Sequence, residues 1–151
     1  MLEYNVFMSY ALKNSDAVGY ADQLIRCPDV KTFVAERSVL LGDPLDEEIK
    51  KGIRACNLFV VLLSKESESS IYVNQEIGYA LSLRKPILPI LLDKIKLPGM
   101  LNSENPKYVD VYRDPSKWQK FREAVLERAN NYKLYTTIGI LILILIAAIV
   151  F

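Results

Sequence analysis

The sequence contains no histidine. That absence removes Ser-His-Asp triads, Cys-His pairs, His-ligated zinc and most side-chain proton shuttles near neutral pH. Any catalysis must run on carboxylates, hydroxyls, amines or backbone dipoles. Cysteine is scarce: Cys27 and Cys56 stand far apart in no metal-type spacing, and read as small buried hydrophobes in a reducing compartment. No metal and no bound cofactor is expected. A charge excess is also missing, since 19 Lys and Arg against 18 Asp and Glu leave a net charge of +1. With no basic stripe interleaved with aromatics, nucleic acid is not an expected partner. Met1-Leu2-Glu3-Tyr4-Asn5 has neither a basic nor an apolar region, so no signal peptide is expected. No internal repeat is visible. The first strand is followed by no phosphate-loop composition, and no acidic cluster suggests a phosphoacceptor site.

Charge itself disappears at one end. From 134 to 151 the chain reads LYTTIGILILILIAAIVF. Eighteen helical residues would span about 27 Å, close to a bilayer's hydrocarbon thickness. The stretch from 138 to 151 is apolar all round rather than on one face, unlike an amphipathic core helix. Tyr132 and Tyr135 fall where an interfacial aromatic belt would lie, beside Arg128 and Lys133. The expectation is a folded domain over 1–131 and a C-terminal transmembrane helix with a short juxtamembrane segment over 132–151. Basic residues flank only the N-terminal side, so the domain is expected to face the cytoplasm from a lipid bilayer, as a single-pass membrane protein.

Before that tail, strand-like and helix-like segments alternate. Val6-Phe7-Met8 is a short apolar strand ending at Ser9-Tyr10. Asn14-Ser15-Asp16 caps a helix carrying Ala17, Val18, Ala21, Leu24 and Ile25, which Pro28 stops. Lys31 to Val34 is a second strand, and 37–43 a loop. Asp43-Pro44 followed by Asp46, Glu47 and Glu48 opens another helix. Leu58 to Leu63 is continuously apolar, as befits a central parallel strand covered on both faces. A polar connection at 64–70 leads to a helix over 71–83. Residues 86–92 form a further strand, which Pro86 and Pro89 mark as nearer an edge than the previous strand. Residues 108–112 alternate as an edge strand, and 116–131 form an amphipathic helix with Trp118, Phe121, Ala124 and Val125 on one face. The order predicts an α/β fold with a parallel sheet and helices on both faces.

The motifs at these positions resemble the TIR (Toll/interleukin-1 receptor) domain family. VFMSY at 6–10 is similar to that family's first strand. FVAERSVLLGDPLDEEIKKGIRAC at 33–56 looks like its second strand, BB loop and following helix. NLFVVLLS at 57–64 and KPILPILLD at 85–93 are similar to the third and fourth strands. IYVNQEIGYAL at 71–81 looks like the helix with the family's aromatic-to-glutamate motif. The resemblance covers about 4–130. It implies a flavodoxin-like five-stranded parallel sheet, and either of two functions. Some members only assemble with other TIR domains as adaptors. Others, many of them prokaryotic, cleave NAD at the nicotinamide–ribose bond or make cyclic products.

In the enzymes a glutamate four residues after an aromatic is essential, and Tyr72 and Glu76 hold those positions. Tyrosine replaces the usual tryptophan. Ala35 stands where the second strand more often ends in aspartate, and Ser38 where some relatives carry a BB-loop lysine. Glu76 is therefore the candidate catalytic residue, with Ser9, Tyr10, Tyr72, Arg37 and Ser38 as candidate substrate-binding residues and NAD as substrate.

Helical spacing independently puts Glu76 at the border of a core stripe formed by Val73, Ile77, Ala80 and Leu81. From there a partly desolvated carboxylate would reach a sheet end, where open α/β sheets bind ligands. Read from spacing alone, Glu76 could equally be a solvated helix glutamate, and Tyr10 and Tyr72 plain core residues. Glu66 and Glu68 are weaker rivals on a polar loop. Val39-Leu40-Leu41 is expected either to fold back as core or to face a second TIR domain. The leading expectation is a membrane-tethered NAD-cleaving enzyme active on clustering, in immune or antiviral defence signalling. The alternatives are a non-catalytic adaptor acting by TIR–TIR assembly, and another glutamate-using enzyme on this architecture, similar to a nucleoside deoxyribosyltransferase.

Overall fold

The computed structural model describes residues 3–34, 45–102 and 107–150, with side chains through 144 and at 148. In chain order the elements are β1 (Tyr4–Ser9), α1 (Ser15–Ile25), β2 (Val30–Val34), α2 (Glu47–Ala55), β3 (Leu58–Leu63), α3 (Lys65–Glu68), α4 (Ile71–Ser82), β4 (Ile87–Leu91), a 3-10 turn at Gly99–Leu101, β5 (Val109–Asp110) and α5 (Ser116–Val150). The strands form one parallel sheet in the order β2-β1-β3-β4-β5. The chain winds one way from β1 to β2 and the other way from β3 to β5. The direction reverses between β1 and β3, so the carboxyl ends of those two strands flank a crevice.

Side-chain alternation divides β1 between two cores. Tyr4, Val6 and Met8 pack with Ala17, Ala21 and Leu24 of α1 and with Trp118, Phe121, Val125 and Ala129 of α5. Phe7 faces the other way, with Phe59, Val61 and Leu63 of β3, Ile49 and Ile53 of α2, and Val73, Ile77 and Ala80 of α4. All six residues of β3 are buried, as its uninterrupted apolar run requires of a strand covered on both faces. A row of stacked rings crosses three strands, with Phe7 centred 5.3 Å from Phe33 and 5.2 Å from Phe59. Gly52 of α2 lies against this row: a Cβ there would sit 2.8 Å from Phe33 Cδ1.

Several elements differ from the sequence reading. The polar stretch after β3 is a helical turn, because Ser64 and Ser67 cap each other: Ser64 N donates to Ser67 Oγ at 2.8 Å and Ser67 N to Ser64 Oγ at 3.3 Å. Helix α2 is capped by Asp46, whose carboxylate accepts from Glu48 N at 2.6 Å; Asp43 and Pro44 lie outside the described residues. Strand β4 lies nearer an edge than β3, as expected, with β5 outside it. Leu92 N donates to Leu63 O at 2.8 Å, so alternation aims position 89 away from β3. The neighbour on that side, β5, pairs only from Ile90 onward. The missing N–H of Pro89 thus costs no ladder bond.

Helix α5 runs on without a break past 131. Its first half is bound to the sheet and α1. Trp118 Nε1 donates to Gln23 Oε1 at 2.7 Å, Tyr132 meets Tyr4 edge-on at 5.8 Å, and Lys133 pairs with Asp29. Among the described residues no helix is long and apolar enough to cross a membrane, which corrects the expected transmembrane helix. Leu134, Tyr135, Ile138 and each residue from Ile140 to Ile144 are exposed, by 43–72%.

Candidate functional site

The candidate site forms where β1 and β3 end. Ser9 is the last residue of β1 and pairs in register with Val61. By alternation its side chain shares the face of Phe7 and Val61, against which α4 packs. Helix α4 starts at a Ser70 cap, whose hydroxyl accepts from Val73 N at 3.3 Å. Five residues into the helix, Glu76 meets β1, and Ser9 Oγ donates to Glu76 Oε2. Both residues are 0% exposed. A carboxylate taken out of water is costly unless donors replace its hydration, and the Ser9 hydroxyl is such a donor. The crevice end of the sheet therefore carries a wholly enclosed serine–glutamate pair.

Two further contacts tie the surrounding loops. Asn14 Nδ2 donates to Glu66 Oε2 at 2.8 Å, joining the segment after β1 to α3. The same side chain caps α1 by accepting from Ala17 N at 2.8 Å. Asn14 is the first cause of a Glu66 carboxyl held below its ordinary value. Lys65 N donates to Asp93 Oδ2 at 2.9 Å, joining α3 to the end of β4.

The expected site residues divide. Ser9 and Glu76 come together, with Glu76 inside the core and not at its border; Leu81, placed in the stripe by periodicity, is 39% exposed instead. Tyr72 lies half-buried one turn before Glu76 on α4. Tyr10 is buried in the core against α1 and α5, across the sheet from Glu76. Arg37, Ser38 and Val39-Leu40-Leu41 lie outside the described residues. Glu66 is exposed and engaged with Asn14. The sequence reading took Ser9 as a substrate contact and missed its bond to Glu76, which spans 67 residues. It left Asn14 as a cap alone. Among the described residues no three His, Cys, Asp or Glu side chains gather as a metal site. A separate cavity of about 400 Å³ opens at the other end of the sheet, lined by Glu3, Ile25, Asp29, Lys31, Thr32 and Lys133 among others.

Strand order, switch point and layering define an open, doubly wound α/β domain with an enclosed carboxylate at the crevice. The chain belongs to the TIR domain family, whose model matches residues 6–126. Among solved structures it is similar to the TIR domain of the Toll-related receptor TRR-2 from Hydra magnipapillata, at 21% identity over 84% of this chain and 98% of that one, with a TM-score of 0.63. It is also similar to the TIR domains of the activated Roq1 resistosome that recognises the pathogen effector XopQ, at 22% identity over 85% and 84%, TM-score 0.53. A third likeness is to the 2-desoxiribosyltransferase of Leishmania mexicana, at 16% identity over 80% and 97%, TM-score 0.52. At such identities these likenesses show a common fold. Comparison with curated protein sequences gave no match.

Proposed function

We propose that this TIR domain cleaves NAD at the nicotinamide–ribose bond when several copies are brought together, with Glu76 as the catalytic carboxylate. The observation that carries the reading is the Ser9–Glu76 pair at the end of β1, beside the switch point. The chemistry suits a chain without histidine. Breaking the bond from the anomeric carbon to the ring nitrogen sends the electron pair to nicotinamide, which leaves neutral and needs no acid. The sugar passes through an oxocarbenium-like state that a carboxylate stabilises, and water then adds at the anomeric carbon and loses a proton. Tyr72 is placed to stack on a ring of the substrate. Arg37 and Ser38 are proposed as further contacts from the loop after β2. A role in immune or defence signalling follows as part of the proposal. So does self-association, the resistosome being an assembly that contains TIR domains.

The adaptor reading has one observation of its own. Glu76 is fully enclosed in the single chain, and a purely structural glutamate would look the same. We also propose that the exposed apolar end of α5 attaches the chain to a membrane with the TIR domain on the cytoplasmic side. The deciding experiment concentrates the full chain with a crowding polymer, adds NAD and measures nicotinamide. Release that rises more than in proportion to protein concentration is expected. No release from NAD or its phosphate at any concentration would favour the adaptor.

A further inference from the structure

We infer that Ser9 is a positioning residue for the Glu76 carboxylate, and not a substrate contact; this rests on the reading of Glu76 as catalytic. Three observations converge. The Ser9 hydroxyl donates to Glu76 Oε2. Both side chains are wholly buried, so the pair is fixed within the protein before any substrate arrives. The two residues also sit on paired and packed elements. Ser9 ends β1, which is paired on both sides by β2 and β3. Glu76 lies mid-helix between Val73 and Ile77, both 0% exposed.

A carboxylate that must face a developing cation gains from a fixed orientation, because a misplacement of about 1 Å in a reacting geometry costs on the order of 100-fold in rate.

The test uses the full chain under conditions where wild type releases nicotinamide. Ser9→Ala is expected to lower kcat by about 10- to 100-fold with KM changed by less than about 3-fold, the pattern of a group acting in the transition state. Ser9→Thr and Ser9→Val add the same bulk and differ only in the hydroxyl, so the pair remains informative if the alanine variant folds poorly. Threonine is expected to retain most of the activity and valine to lose it. The carbon-13 resonance of the Glu76 carboxyl, identified by its loss in Glu76→Gln, should move in Ser9→Val and stay near its wild-type position in Ser9→Thr. A valine variant with wild-type kcat, or an unmoved resonance, would overturn the positioning role while leaving NAD cleavage in place. A raised KM at unchanged kcat would return Ser9 to substrate binding. A wild type that releases no nicotinamide overturns the NAD reading and the positioning role with it.

Discussion

Asn14 carries two loads with one amide. Its oxygen caps α1 and its nitrogen holds Glu66. Replacing it with alanine removes both, and loss of the cap alone should cost about 1 kcal/mol. Serine keeps a capping oxygen without reaching Glu66, so Asn14→Ser isolates the second load. Because the folded Glu66 carboxyl lies below its ordinary value, its stabilising contribution is complete above the unfolded carboxylate range. It is lost as pH falls through the folded value. Thermal melts should therefore show Asn14→Ser weakened at pH 7 and closer to wild type at pH 3. An equal deficit at both values would remove the Glu66 contact from the account. Glu76 shows how far residue-level reading reached. Its helical position and aromatic neighbour were legible from local spacing. Its enclosure was not, because its partner Ser9 comes from a strand 67 residues earlier and no periodicity connects them.

Among the elements, most strands and helices were legible wherever local pattern and packing agree. Strand β3 is apolar without interruption because both faces are covered, and α1 begins at the asparagine cap its sequence offers. The misreadings have a common form. Helix α3 is too short to show a period and exists through reciprocal serine capping. Gly52 is the sharpest case. Glycine inside a helix normally weakens it by roughly 0.5–1 kcal/mol relative to alanine. Here the added methyl would meet the Phe33 ring at 2.8 Å, within a stack that Phe7 and Phe59 hold in place. Gly52→Ala is therefore expected to destabilise by about 1–3 kcal/mol, as overpacking does, measured by urea unfolding. A stabilised variant would mean that the aromatic row yields.

For the whole molecule, the two ends of the sheet have different surroundings. The Ser9–Glu76 pair lies at the carboxyl ends of the strands. Helix α5 leaves at their amino ends, where Tyr132 meets Tyr4 and Lys133 meets Asp29. A chain cut at 131 would lose both contacts, so a version retaining 132–137 should be the more stable. Ile140 to Ile144 are all exposed, and successive helical residues point in every direction around the axis. A contiguous exposed apolar stretch of this kind suits the proposed attachment to a lipid surface. The full chain should float with liposomes. Leu141→Glu with Leu143→Glu should release it, since burying a charge in an apolar environment is costly. Flotation unaffected by both substitutions would place the attachment elsewhere. The tail's apolar character was legible in the sequence, but its continuity with a sheet-bound helix was not, because the contacts at Tyr4 and Asp29 come from the far end of the chain.

The central claim is that Glu76 performs chemistry from its enclosed place at the switch point. The most direct measurement is the rate of nicotinamide release from NAD by the clustered full chain carrying Glu76→Gln, beside wild type and with unfolding followed in parallel. Glutamine keeps the shape and can still accept from Ser9, but removes the negative charge that the oxocarbenium-like state requires. The account predicts release lowered at least about 100-fold, on the scale of losing one electrostatic catalytic group, with the folded state and membrane attachment retained. A folded Glu76→Gln protein that releases nicotinamide at the wild-type rate would contradict it.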